Sequence, residues 1–261
     1  MKNLIFLSSM LFAAGCSSSV KETPNMPGAY LMTSQTLNNG KSDAKYTSLK
    51  QLKIYTDSLF MYAQINPSDS VSSFGVGSFV AGQGTVTENR IYSSSDTNFY
   101  STPSKFELNI SKTQDGYEQI IPELETDSVK YKLTEIYQSV GTDKKTPLDG
   151  VWRETSSFTF KANDTTMNNR TQYKTYYDGY FMFGHTVVDS AAKHQTGIGF
   201  GTFEWVNDHK IKETDLNSTY PIIAGNTFDV EIEMNGPDKY KQTLKNADGS
   251  TGVEYYERLK K

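Results

Sequence analysis

The stretch YKTYYDGYFMFG, residues 173–184, nearly repeats LKIYTDSLFMYA, residues 52–63. Each copy has Lys directly after an apolar or aromatic start, then an Asp-led turn and a run containing Phe-Met-aromatic. The likeness continues in both directions. Gly28-Ala29-Tyr30 matches Gly150-Val151-Trp152, and FGVGSF from Phe74 matches IGFGTF from Ile198. Glu88 falls beside Glu213, FELNI from Phe106 beside FDVEI from Phe228, and Tyr117 and Gln119 beside Tyr240 and Gln242. YKLTEIY from Tyr131 aligns with VEYYERL from Val253. The offset stays between 121 and 125 residues and the order never changes, which chance similarity would not sustain. The chain reads as two homologous halves, 27–140 and 149–261, joined by the polar linker GTDKKTPL at 141–148.

Both halves are β in character. Aromatic residues make up 13% of the chain, and strands favour them. Phe106, Leu108 and Ile110, and again Phe228, Val230, Ile232 and Met234, alternate with polar residues, which places one face inward and the other outward. Asp178-Gly179 is a two-residue hairpin signal, and Asp57-Ser58 is its weaker copy, so the quoted stretch is a hairpin in each half. Eight strands are expected per half: near 28–36, 49–56, 58–66, 73–80, 84–92, 104–111, 116–122 and 128–137, then near 150–160, 169–177, 179–188, 197–206, 209–216, 226–235, 239–245 and 251–260. Eight antiparallel strands suffice to close a barrel, with either a packed interior or space for one small ligand. The fold class is therefore all-β, two consecutive eight-stranded antiparallel barrels from an internal duplication. Separate expression of the halves is expected to give two folded domains.

The first residues, MKNLIFLSSMLFAAGC, combine a positive start, a short apolar run and a small residue before Cys16, as a secretory leader does. LFAAGC resembles the bacterial lipobox, in which the cysteine is lipidated and becomes the mature N-terminus. Cys16 is the single cysteine of the chain, which fits a lipid attachment site better than a disulfide. The expectation is a signal peptide at 1–15, a polar tether at 16–26, a palmitate-type lipid anchor on Cys16, and a place in the cell envelope, at the outer membrane. Formal charge is −4, and one unit more negative once Lys2 leaves with the leader. There is no long basic run, which argues against nucleic acid as a partner.

Gly-x-Trp on a first strand, a hairpin, glycine-rich middle strands and a last strand carrying Arg258 resemble the lipocalin and fatty-acid-binding superfamily. KTYYDGYFMFG, GIGFGTF and ERL resemble more closely the lipocalin-like domains of bacterial lipoproteins. The resemblance implies the barrel fold and a tendency to bind a small apolar or amphipathic molecule; it implies no reaction and no cofactor. It also implies that Trp152 is covered by a basic residue of the closing strand, here Arg258, with Tyr30 and Ile136 as the counterpart in the first half. These are read as structural.

The Gly75-x-Gly77 and Gly199-x-Gly201 pairs lack the context of a phosphate loop and read as places of close backbone approach. His185, His194 and His209 have no metal-ligand spacing and are expected at scattered surface or rim positions, so no metal site is expected. The candidate ligand-binding residues are Tyr62, Glu88, Glu135, Phe183, Glu213 and Glu257. Glu135 and Glu257 each sit on an otherwise apolar face, where a carboxylate needs a partner or a ligand, and Glu88 and Glu213 carry the same ambiguity. The alternative for each is an internal bond to a Tyr hydroxyl or to Lys53 or Lys174. Small residues read as inward-facing, such as Ala63 and Gly184, would leave a cavity. No activated nucleophile or acid–base pair is visible. The function expected is ligand binding by a lipid-anchored, non-catalytic protein. The second reading is a protein with filled barrels that docks on an outer-membrane protein.

Overall fold

A computed structural model describes residues 24–67, 71–95, 104–126, 128–188 and 193–261. Cys16, the leader and most of the tether lie outside them. The first half contains β1 (Gly28–Asn38), β2 (Asp43–Tyr46), β3 (Lys50–Tyr55), β4 (Leu59–Ile65), β5 (Ser72–Ala81), β6 (Thr85–Ser93), β7 (Ser104–Lys112), β8 (Gly116–Thr126) and β9 (Val129–Ser139). The second contains β10 (Gly150–Lys161), β11 (Asp164–Met167), β12 (Thr171–Tyr177), β13 (Tyr180–Val188), β14 (His194–Asn207), β15 (Lys210–Ser218), β16 (Thr227–Met234), β17 (Lys239–Lys245) and β18 (Thr251–Arg258).

Each half is a closed antiparallel barrel of eight strands, sealed by pairing of β1 with β9 and of β10 with β18. The short strands β2 and β11 are additions that pair only with β1 and β10. Both are exposed along their whole length. Four polar-rich residues with no buried face give no alternation to read, which is why the sequence expectation lacked them.

The opening stretch owes its preservation to burial on two sides. In β3 and β12 nearly every residue is buried. Lys53, Tyr62 and Gly75 are cross-strand neighbours on one face; Leu52, Ala63 and Phe74, and Ile54, Met61 and Val76, are neighbours on the other. That second face does not meet solvent. It packs against the corresponding face of the other barrel in a shared cluster containing Leu52, Ile54, Met61, Phe74 and Tyr92 with Tyr173, Met182, Ile198 and Phe200. Hydrogen bonds cross the seam from Thr175 Oγ1 to Met61 Sδ (3.1 Å) and from Ser72 Oγ to the Thr196 carbonyl (3.2 Å). A third joins the hydroxyls of Tyr92 and Thr186.

Ala63 and Gly184 belong to this seam, not to a barrel interior. A Cβ on Gly184 would stand 2.4 Å from Phe74 Cγ, so the glycine admits the ring of the other barrel. The expectation that these small residues hollow out a cavity is therefore corrected: they bring the barrels together. The linker is fastened as well. Thr142 donates its amide to the Asp178 carbonyl (3.1 Å), and Lys145 lies 4.0 Å from the centre of the Tyr177 ring. Asp178 and Gly179 both have positive φ, as a two-residue hairpin of this twist requires; Asp57 and Ser58 do not.

Gly77 and Gly201 sit at register shifts, where a Cβ would strike the backbone of Asn89 or Thr214. Gly75 and Gly199 accommodate the rings of Tyr62 and Phe183. The close-approach reading of these glycines thus has named partners.

The barrel floor places Trp152 fully buried, its indole N–H donating to the Leu148 carbonyl (2.7 Å). The Arg258 guanidinium lies 4.1 Å from its ring centre. Arg258 also donates to the carbonyls of Asp149, Pro147 (2.9 Å) and Pro237 (2.9 Å). In the first half Tyr30 opposes Ser139, as Trp152 opposes Arg258, so Ser139 and not Ile136 is the counterpart of Arg258. Arg258→Ala removes a cation–π contact and three charge-assisted hydrogen bonds, together about 2–3 kcal/mol. A fall of about 5–10 °C in the thermal midpoint is expected for a chain of this size; an unchanged midpoint would refute the structural role.

Candidate ligand site in the second barrel

Inside each barrel a lysine and a glutamate meet. Lys53 Nζ lies 2.6 Å from Glu88 Oε1, and Lys174 Nζ lies 2.7 Å from Glu213 Oε1, all four side chains being nearly inaccessible. Tyr55 and Tyr176 donate their hydroxyls to the same glutamates. Burial, and after it the neighbouring carboxylate, pushes both phenols well above their ordinary range, so they remain donors at any physiological pH. Lys53 and Lys174 also donate to Gln119 (3.0 Å) and Gln242 (3.2 Å). The repeat has preserved this constellation because each member satisfies another. A buried ion pair is tolerable only when its remaining hydrogen-bonding capacity is used.

Glu135 is likewise saturated, by Gln35 (2.9 Å), Gln119 (2.7 Å) and Tyr137 (3.0 Å). Its expected counterpart, Glu257, is misplaced. Tyr240 pairs with Tyr256 as Tyr117 pairs with Tyr137, so the last strands align three residues away from the sequence match. Glu257 is half-exposed and paired with Lys239 (2.6 Å) on the outer surface. Glu254 takes the interior position, bonded to Arg170 (2.6 Å), Gln242 (2.7 Å) and Tyr256. VEYYERL offers two glutamates, and only the ladder decides which one faces in.

Besides the floor, the barrels differ toward one mouth. In the first, Arg90 lies 4.3 Å from the centre of the Phe106 ring and donates to the Tyr62 hydroxyl (3.1 Å), so these three side chains engage one another. In the second, register places Asp215 where Arg90 stands, Phe183 where Tyr62 stands and Phe228 where Phe106 stands. Met32 and Leu49 of the first barrel become Glu154 and Arg170, which pair at 2.7 Å. Gln64 becomes His185.

This second set, Glu154 apart, lines a cavity of about 890 Å³. Its walls include Phe183, His185, Tyr220 and Phe228, its floor Lys174, Glu213, Gln242 and Tyr256, and its rim the exposed Met167 and Ile222. Phe183 and Glu213 of the expected ligand-binding residues fall here; Tyr62, Glu88 and Glu135 stand in the first barrel, on internal partners. His185 corrects the expectation of surface histidines. It is buried, with Nδ1 3.2 Å from Gln172 Oε1 and Nε2 2.7 Å from the Tyr220 hydroxyl. Burial, then the Arg170 charge, lowers its pKa to about 4. His194 is exposed, and His209 sits in the turn between β14 and β15. Among the described residues no cluster of three or more His, Cys, Asp or Glu could hold a metal ion.

Asp215 was missed at the sequence level. It is 3% exposed, and its Oδ1 has no hydrogen-bond partner. Burial, with Glu213 nearby and only partial relief from Lys174, raises its pKa to about 7. The available signal was the charge reversal between Arg90 and Asp215 at matched positions.

The two titrations oppose each other. Asp215 is held protonated in the fold, so its penalty is absent near pH 4 and grows as pH rises to about 7. His185 is held neutral, so its penalty is absent above about 6.5 and grows as pH falls to about 4. Asp215→Asn should therefore match the parent in urea at pH 4 and exceed it at pH 8. A gap that does not change with pH would show that Asp215 titrates normally.

No sequence profile of a known protein family matches the chain. No curated protein matches it significantly either.

Proposed function

We propose that this chain is an exported, lipid-anchored, lipocalin-like protein that binds a small, partly apolar molecule in its second barrel and catalyses no reaction. The observation that carries the reading is the cavity of about 890 Å³, which combines apolar rings with a few buried polar groups, as small-molecule sites do. The leader and Cys16 support anchorage in the cell envelope, at the outer membrane, with residues 16–26 as the tether. The first barrel serves as scaffold in this reading, because Arg90, Tyr62 and Phe106 engage one another where the second barrel keeps open space.

Native mass spectrometry tests it, on residues 22–261 purified from cell extract, which retains every described residue. A reproducible extra mass, lost on denaturation and lost in a variant carrying Asp215→Arg with Phe183→Tyr, is the expected result. A clean protein mass from repeated preparations would favour the second reading, docking of two barrels on an outer-membrane protein, which the Arg90–Phe106 stack of the first barrel favours for that half.

A further inference from the structure

Charge within the second cavity is unbalanced. Three lining carboxylates, Glu213, Asp215 and Glu254, face two cations, Arg170 and Lys174, and Glu154 pairs with Arg170 beside them. Both cations are already engaged: Arg170 by Glu154 and Glu254, Lys174 by Glu213. At the rim, Lys245 and Asp248 add one charge of each sign, and Asp248 is held by Lys161 (2.8 Å). The interior thus has no cation left for an anionic headgroup, and it has one buried carboxylate oxygen, Asp215 Oδ1, without a partner.

The surroundings of that oxygen are aromatic. A Cβ on Gly199 would lie 2.4 Å from the Phe183 ring and 2.7 Å from Asp215 Oδ1, so ring and carboxylate flank the same glycine. Phe183 stacks with His185 at 6.2 Å between ring centres, and His185 with Tyr220 at 5.9 Å. A carboxylate beside a wall of aromatic rings suits an ammonium group, which gains an ion pair from the one and cation–π attraction where it meets a ring face.

We infer that the second barrel selects a ligand bearing a protonated amine on an apolar or aromatic body, with Asp215 receiving the amine and Phe183, His185 and Tyr220 enclosing it. This rests on the reading that the second barrel holds a ligand, and it names the ligand's class. A fatty-acid-type carboxylate is disfavoured, because Asp215 would repel it and both cations deep in the cavity, Arg170 and Lys174, are already paired, with Lys245 only at the rim. The first barrel, with Arg90 at the matched position, has no such selectivity.

The test is calorimetric titration of residues 22–261, both barrels together, at pH 8 with three probes of one shape: 2-phenylethylamine, 2-phenylethanol and 3-phenylpropanoate. The amine is expected to bind at least about tenfold more tightly than the alcohol, and the acid least. Asp215→Asn should erase the preference for the amine over the alcohol. Asp215→Arg with Phe183→Tyr, which writes the first barrel's mouth into the second, should abolish amine binding while cooperative unfolding persists. Equal or tighter binding of the alcohol or the acid, sensitive to the double substitution, would overturn the amine class and leave the ligand-binding reading standing. Failure of all three probes overturns the amine class as well. If the protein also carries no extra mass from cells, the binding reading falls with it.

Discussion

Lys174→Met should destabilise the chain by about 3–5 kcal/mol, because it strands a buried carboxylate. Glu213 would keep the Tyr176 hydroxyl and lose its ion pair with Lys174, in a barrel where the lysine nitrogen now sits 5.1 Å from the Tyr176 ring centre and 5.5 Å from that of Phe181. Methionine fills the volume of the lysine stem, so the loss reports charge rather than a cavity. Adding Glu213→Gln to Lys174→Met should recover much of the stability, since a neutral amide can still accept from Tyr176. Lys53→Met and Glu88→Gln should behave alike in the first barrel, where Lys53, Glu88 and Tyr55 form the same arrangement. Urea midpoints of the single and double variants decide it. Additive losses would show that the pair is not coupled; a strong recovery would show that it is a single unit whose removal as a whole costs little.

The second large effect concerns the seam. Cutting the chain within 141–148 and expressing each half alone should fail to give two folded monomers, against the expectation from the duplication. The shared cluster contains 15 buried residues, nine from the first half and six from the second. A large apolar side chain contributes about 1.5–3 kcal/mol on full burial, and a domain's net stability is only about 5–15 kcal/mol. Exposing Leu52, Ile54, Met61 and Phe74 on one side, or Tyr173, Met182, Ile198 and Phe200 on the other, is enough to exhaust it. Each half should appear in inclusion bodies or as a self-associated species that covers the same face with a second copy. The opposing strands are the equivalent ones, β3 to β5 against β12 to β14, so a half could cover its face with its own duplicate. Sedimentation and thermal melting of each half check this. A monomeric half with a cooperative melt would mean that the seam is a contact between independent domains.

The seam also explains why one hairpin was so well preserved. Most strands bury one face and so keep every second residue; β3, β4, β12 and β13 bury both, and almost every position is constrained. The duplication and the strand alternation come from local periodicity and long-range self-similarity, and both lie in the linear sequence. So do the Trp152–Arg258 contact, implied by the lipocalin resemblance, and the glycine-lined close approaches. The register of the last strand does not, because Glu254 and Glu257 lie on opposite faces and similarity alone chose the wrong one.

The candidate site was less legible. Repetition pointed to Glu88, Glu135 and Glu213, and the fold shows why they repeat: each holds a lysine, tyrosine or glutamine inside a barrel, which is a requirement of folding. Their pairing had been one of two open readings, and in the structure each of the three has internal partners. The groups that distinguish the second cavity, Asp215, His185 and Arg170, with the Glu154 that pairs with Arg170, are the ones that do not repeat. By itself the sequence determined two barrels, their order and their inward faces, because these follow from period-two burial and turn chemistry. The shared core, the place of Ala63 and Gly184 in the seam and the unpartnered Asp215 Oδ1 in the second cavity came only with the tertiary structure. Each of these depends on which surfaces meet across more than a hundred residues of chain, and nothing local records it.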